Sequence, residues 1–209
     1  MATFGISSLT RKSKQSLNNS NIIREEKIYM KQWDLMNHTF KFRVGDSEEK
    51  GGCTFIGGEW KDVDTAEIFE NKKVVVFALP GAFTPTCSSQ QLPGYEKKYH
   101  EIKALGIDEV YCLSVNDAFV MNAWFRDEKI VKVKPIGDGE GVFTQGMGML
   151  VNKPKQGFGM RSWRYSMLVD DGKVVRVFPE AGKNNASDDD DPFQVSDVDT
   201  MIKYLKSAG

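Results

Sequence analysis

Histidine is nearly absent from this chain, with two residues, His38 and His100, among 209. Cysteine hydrolases need an imidazole base beside the thiol, so this scarcity leaves that class little room. Cysteine is scarce as well: Cys53, Cys87 and Cys112 form an odd set with no C-x-x-C pair. That count argues against a disulfide scaffold and for a reducing compartment. No two cysteines or histidines have zinc-ligand spacing. Charge of one sign is lacking too, with 28 basic residues against 29 acidic ones. Without a basic excess, nucleic-acid binding has no electrostatic support. No apolar run approaches the roughly 18 residues that span a bilayer. What remains is an ordinary composition, 40% hydrophobic, in a chain long enough for one domain with a full core.

Residues 1–35 read differently from the rest. No acid precedes Glu25, serine and asparagine are frequent, and Arg11, Lys12, Lys14 and Arg24 supply positive charge. The composition suits a disordered extension and equally an organelle transit peptide, without the apolar core of a secretory signal. The expected organisation is therefore an extension over 1–35 and one domain over 36–209. The expected location is the cytoplasm, or an organelle if the first thirty residues are a targeting segment.

From His38 onward, apolar runs alternate with helical spacing. Strands are predicted at 39–44, 73–79, 109–115, 131–136, 163–169 and 173–178, and a hairpin joins 53–56 to 59–63 through Gly57-Gly58. Helices are predicted at 65–69, 86–104, 117–128, 144–150 and 197–206, the last capped by Ser196. Asp170-Asp171-Gly172 is a hairpin turn. Strands alternating with helices, then a hairpin and a closing helix, describe an α/β domain with a mixed sheet. The acidic run 188–191 reads as a solvated loop, and the glycine-rich stretch 137–141 as a turn that lacks the Lys-Ser/Thr ending of a phosphate loop.

The candidate chemistry lies in Pro80-Gly81-Ala82-Phe83-Thr84-Pro85-Thr86-Cys87. This stretch follows the apolar run 74–79 and leads into a helix, which puts Cys87 in the helix's first turn. Unpaired N–H groups and the helix dipole favour a thiolate there. Thr84 offers a hydroxyl to the sulfur or to a substrate, and Pro80 and Pro85 stiffen the loop. Cys112, in the apolar strand 110–115, reads as a buried structural thiol. Cys53, after Gly51-Gly52, reads as more accessible.

The spacing P-x-x-x-T-x-x-C at Pro80, Thr84 and Cys87 resembles the active-site signature of peroxiredoxins. PGAFTPTCS at 80–88 resembles that of the fifth type. CLSVNDAFV at 112–120 and RSWRYSMLV at 161–169 resemble further blocks of that group. GMGMLV at 146–151, Asp191-Pro192-Phe193 and Ser196-Asp197 bring the likeness closest to the peroxiredoxin half of bacterial peroxiredoxin–glutaredoxin hybrids. The resemblance implies a thioredoxin-like fold and a peroxidase acting on hydrogen peroxide and alkyl hydroperoxides without metal or organic cofactor. It implies that Cys87 is the peroxidatic cysteine, that Thr84 bonds peroxide or sulfur, that Pro80 shields the pocket, and that Arg164 stabilises the thiolate and polarises the O–O bond. A homodimer is implied as well. Arg161, an odd number of residues from Arg164, is expected at the surface if 162–169 is one strand.

Two departures stand out. Gln91 occupies a position where many members carry histidine. No cysteine follows Phe178, where two-cysteine relatives place a resolving thiol. The expected reductant is therefore an external thiol, glutathione with a glutaredoxin. Thioredoxin is the alternative, with Cys53 as a possible resolving thiol. A peroxide sensor with little turnover is the other reading.

Overall fold

The computed structural model describes residues 35, 37–45, 48–49, 55–56, 58–183 and 191–208. A five-stranded mixed sheet organises them. Its middle strand is β5 (Lys73–Leu79), which pairs in parallel with β6 (Glu109–Ser114), itself parallel to β7 (Lys134–Gly137). On the other side β5 pairs antiparallel with β10 (Tyr165–Asp170), which makes a hairpin with β11 (Lys173–Pro179). The order across the sheet is β11-β10-β5-β6-β7. This is the predicted α/β fold with a mixed central sheet.

β5 reads Lys-Val-Val-Val-Phe-Ala-Leu, and all but its lysine are buried. A continuous apolar run is what a strand covered on both faces requires. Val75, Phe77 and Leu79 face a core completed by α2 (Leu92–Ala104), α3 (Ala118–Asp127) and α5 (Val198–Ala208), numbering helices after α1 (Thr65–Phe69). Phe77 stacks on Tyr95 of α2 at 4.0 Å between centroids, and the Tyr95 hydroxyl donates to the Ser196 carbonyl at 3.0 Å.

Several boundaries differ from expectation. Strand β4 (Glu59–Asp64) pairs with β1 (Thr39–Val44), while β3 (Phe55–Ile56) pairs with β2 (Glu48–Glu49). One interrupted hairpin thus replaces the short one predicted at 53–63, and Cys53 lies outside the described residues. Residues 131–133 are not strand, because their amide groups donate to the Glu96 carboxylate instead of to a neighbouring strand. The short helix expected at 144–150 is α4 (Val142–Gly146), held by buried Asp138, which accepts from the Thr144 amide and hydroxyl. Leu150 instead opens a hairpin of β8 (Leu150–Lys153) and β9 (Gly159–Ser162). Asp197, not Ser196, caps α5, accepting from the amides of Asp199 and Thr200. Ser196 is buried and donates to Glu180.

Candidate active site

Cys87 sits where β5 has passed through the loop 80–86 and the chain begins to coil. The coil does not start as an α-helix. Residues Cys87–Gln91 form a π-helical turn, with the Leu92 amide donating to the Cys87 carbonyl, before α2 proper begins. Single π-turns inside helices are frequent at functional sites. This one rotates Cys87 and Gln91, both fully buried, onto the same side as the arginine described below. The Trp124 indole N–H donates to the Ser88 hydroxyl at 2.8 Å and ties the turn to α3.

The loop itself is fixed from two sides. Asn116 Oδ1 accepts from the Ala82 amide at 3.0 Å and from the Ser114 hydroxyl at 2.7 Å. A Cβ on Gly81 would come within 3.2 Å of the Arg161 guanidinium and 3.3 Å of the Thr84 methyl, so a side chain there would press both neighbours outward. Phe83 holds a φ of +60°, in the left-handed region that non-glycine residues seldom occupy, and exposes its ring. The Thr84 hydroxyl donates to the Gly81 carbonyl at 2.8 Å, which leaves its oxygen as an acceptor.

Arg164 lies between β9 and β10 and is 1% exposed. Its Nη1 is 3.4 Å from Cys87 Sγ and donates to Gln91 Oε1 at 2.5 Å. Its Nη2 donates to both carboxylate oxygens of Asp191, and the Phe193 ring lies 5.7 Å from the guanidinium. Burial disfavours the cation. The Cys87 sulfur and the Asp191 carboxylate outweigh that penalty and hold Arg164 above the ordinary arginine range. The opposite happens to Cys112. Burial pushes its thiol well up, and nearby Cys87 adds to the effect, so it stays protonated within the core.

A cavity of about 320 Å³ opens beside this cluster. Pro80, Thr84, Arg164, Lys153, Trp163 and Asp191 are among its walls. The four residues singled out in the sequence, Pro80, Thr84, Cys87 and Arg164, thus converge on one place. Other participants were not legible as such. Asp191, expected in a solvated acidic loop, is drawn in to Arg164. Its segment is pinned by buried Glu180, whose carboxylate accepts from the amides of Gln194, Val195 and Ser196. The sequence signal was present in Asp191-Pro192-Phe193, but only the fold gives the aspartate its partner. Arg161, expected at the surface, is half-buried, with its Nε donating to the Phe158 carbonyl at 3.1 Å and its Nη1 to the Val115 carbonyl at 3.4 Å. The alternation argument failed because 159–162 and 165–170 are separate strands. Among the described residues no group of three His, Cys, Asp or Glu could hold a metal ion, and no helix is long and apolar enough to cross a membrane.

Residues 52–202 match the Redoxin family. A peroxiredoxin of Synechocystis sp. is 54% identical over 171 residues, covering 81% of this chain and 87% of that protein. The hybrid peroxiredoxin hyPrx5 of Haemophilus influenzae is 56% identical over 149 residues, covering 71% of this chain and 60% of that longer protein. Among solved structures, the Plasmodium falciparum antioxidant protein, a 1-Cys peroxiredoxin, superposes with a TM-score of 0.74 at 35% identity, covering 84% of this chain and 99% of that one. The family match, the sequence identity and the superposition agree, and the chain belongs to the peroxiredoxin family with its thioredoxin-like fold.

Proposed function

We propose that the protein is a one-cysteine thiol peroxidase that reduces hydrogen peroxide and alkyl hydroperoxides at Cys87 and is recycled by glutathione with a glutaredoxin. The observation that carries the reading is the buried contact of 3.4 Å between Cys87 Sγ and Nη1 of Arg164, a residue that itself lines the cavity. A positive donor on the sulfur stabilises negative charge there and, once a peroxide is bound, the charge developing on its leaving oxygen.

In this mechanism the Cys87 thiolate attacks one peroxide oxygen. The S–O bond forms as the O–O bond breaks, and the departing oxygen takes a proton from solvent and leaves as water or an alcohol. The sulfur loses two electrons and becomes a sulfenic acid. The acceptor oxygen of Thr84 suits the peroxide O–H, and Pro80 forms the dry wall behind it. A glutathione thiol then attacks the sulfenic sulfur. An S–S bond forms, the sulfenic oxygen departs as water, and a second thiol reduces the mixed disulfide. Buried, protonated Cys112 is a poor resolving nucleophile. The likeness to the hybrid peroxiredoxin supports glutathione as the external thiol.

The test is steady-state NADPH consumption with peroxide, glutathione, glutathione reductase and glutaredoxin, beside a thioredoxin system. Turnover in the first system should vanish in Cys87→Ser and persist largely intact in Cys53→Ser and Cys112→Ser. Turnover with thioredoxin alone, lost in Cys53→Ser, would overturn the one-cysteine reading. Oxidation of Cys87 without turnover in either system would make the protein a sensor.

A further inference from the structure

Lys153 is a second buried cation on the cavity wall, and no step above uses it. Strand β8 alternates, with Val151 and Lys153 turned inward and Asn152 outward. The two-residue period therefore puts a charge where a strand ordinarily buries an apolar side chain. Lys153 is 5% exposed. Arg164 has Asp191 as its counter-ion, and Lys153 has none among the described residues. Among the described residues its ammonium makes neither a hydrogen bond nor an ion pair, and its recorded partner is the face of Trp163, 4.6 Å from the ring centroid. The aromatic face engages none of the three N–H donors directly, and Lys153 lines the cavity, where those donors can meet a ligand.

The cavity is also too large for the smallest substrate. At about 320 Å³ it lies in the range of small-molecule sites. That is on the order of ten times the ~30 Å³ that one water occupies. Phe158, Trp163, Pro85 and Pro192 make much of its wall apolar. An apolar chamber whose wall carries a lysine with no counter-ion among the described residues suits an organic monoanion, while Asp191 on the same wall disfavours a dianion.

We propose that Lys153 anchors a carboxylate carried by an organic substrate, whose reactive end is thereby directed toward Cys87. The proposal rests on the peroxidase reading. The carboxylate belongs either to the hydroperoxide or to the reducing thiol, and the two sources are separable. Linoleic acid hydroperoxide is compared with its methyl ester, and glutathione with its diethyl ester, in the parent protein, Lys153→Met and Lys153→Arg. The quantity read is the acid-to-ester ratio of kcat/KM, which cancels any general effect on Cys87 or on the folded fraction. One pair should favour the acid by about tenfold in the parent, as a charge-assisted hydrogen bond would. Lys153→Met should bring that ratio toward one and Lys153→Arg should keep it, and the responding pair names the source. Octanoate binding, followed by quenching of tryptophan fluorescence, gives a readout independent of turnover and should weaken about tenfold in Lys153→Met. Ratios untouched by Lys153→Met, or equal octanoate affinity in both proteins, would overturn the proposal and leave Lys153 a wall residue packed on Trp163. Hydrogen peroxide, which has no carboxylate, runs in the same assay. Failure of Cys87-dependent turnover there would sink the peroxidase reading instead, with the octanoate comparison still deciding the role of Lys153.

Discussion

Arg164 is shared among three groups, and its orientation decides what Cys87 experiences. Nη2 contacts both oxygens of Asp191 while Nη1 faces Sγ and Gln91, and anchoring at both nitrogens sets the guanidinium's orientation. A charge-assisted contact to a carboxylate holds that end of the guanidinium more strongly than a neutral acceptor would. Asp191→Asn keeps the shape and removes the charge, so the hold on Nη2 loosens. The second-order rate of peroxide attack, followed by stopped-flow tryptophan fluorescence, is expected to fall about tenfold, with partial recovery in Asp191→Glu. A rate equal to that of the parent would show that Gln91 alone holds the arginine.

Two short elements carry this geometry, the π-turn at Cys87–Gln91 and the segment 191–196 that lies against Arg164. The first depends on a helix that begins with the wrong pitch, and the second on Glu180. That buried carboxylate accepts three backbone amides and the Ser196 hydroxyl, while its own carbonyl accepts the Trp163 indole N–H. All four donors converge on one oxygen, Oε1, so Glu180→Gln keeps an acceptor there but removes the negative charge that strengthens each bond. The expected loss is about 2–3 kcal/mol. That corresponds to roughly 5–10 °C in Tm for a domain of this size, measurable by calorimetry. Activity should fall with it, because Asp191 is positioned by the same segment. An unchanged Tm would mean that the segment is held by its packing alone.

For the molecule as a whole, tyrosines of the sheet and of the helix α2 packed on it set the alkaline limit of stability. Burial, together with the charge of Glu109, pushes Tyr99 and Tyr111 up to about 12, and burial raises Tyr95 and Tyr165 as well. A phenol whose folded value exceeds its unfolded value of about 10 stabilises the fold in its neutral form. That contribution is complete below about pH 10 and is lost as pH rises toward 12. Phenolate absorbance from these four residues, followed at 295 nm, should therefore appear together with loss of far-UV circular dichroism. Ionisation of all phenols near pH 10 with the fold intact would contradict the assignment.

The sequence by itself determined the α/β alternation, the central strand 73–79, the position of Cys87 after it, and the identities of Pro80, Thr84 and Arg164. Each but Arg164 is written locally, in a run of apolar residues, a proline, or a spacing of three or seven, and the arginine is marked only by the resemblance of its block to the family's. It also determined the family, because several such local blocks recur in one order. Partnership was left to tertiary structure. Asp191 is an acid in an acidic run until β10 brings Arg164 beneath it. Gln91 is a helix residue until a π-turn aims it at the same guanidinium. Lys153 is a strand lysine until the β8–β9 hairpin folds it over Trp163 and into the cavity. Burying a charge obliges it to find a partner, and that partner is chosen by distance through space, which separation along the chain does not encode.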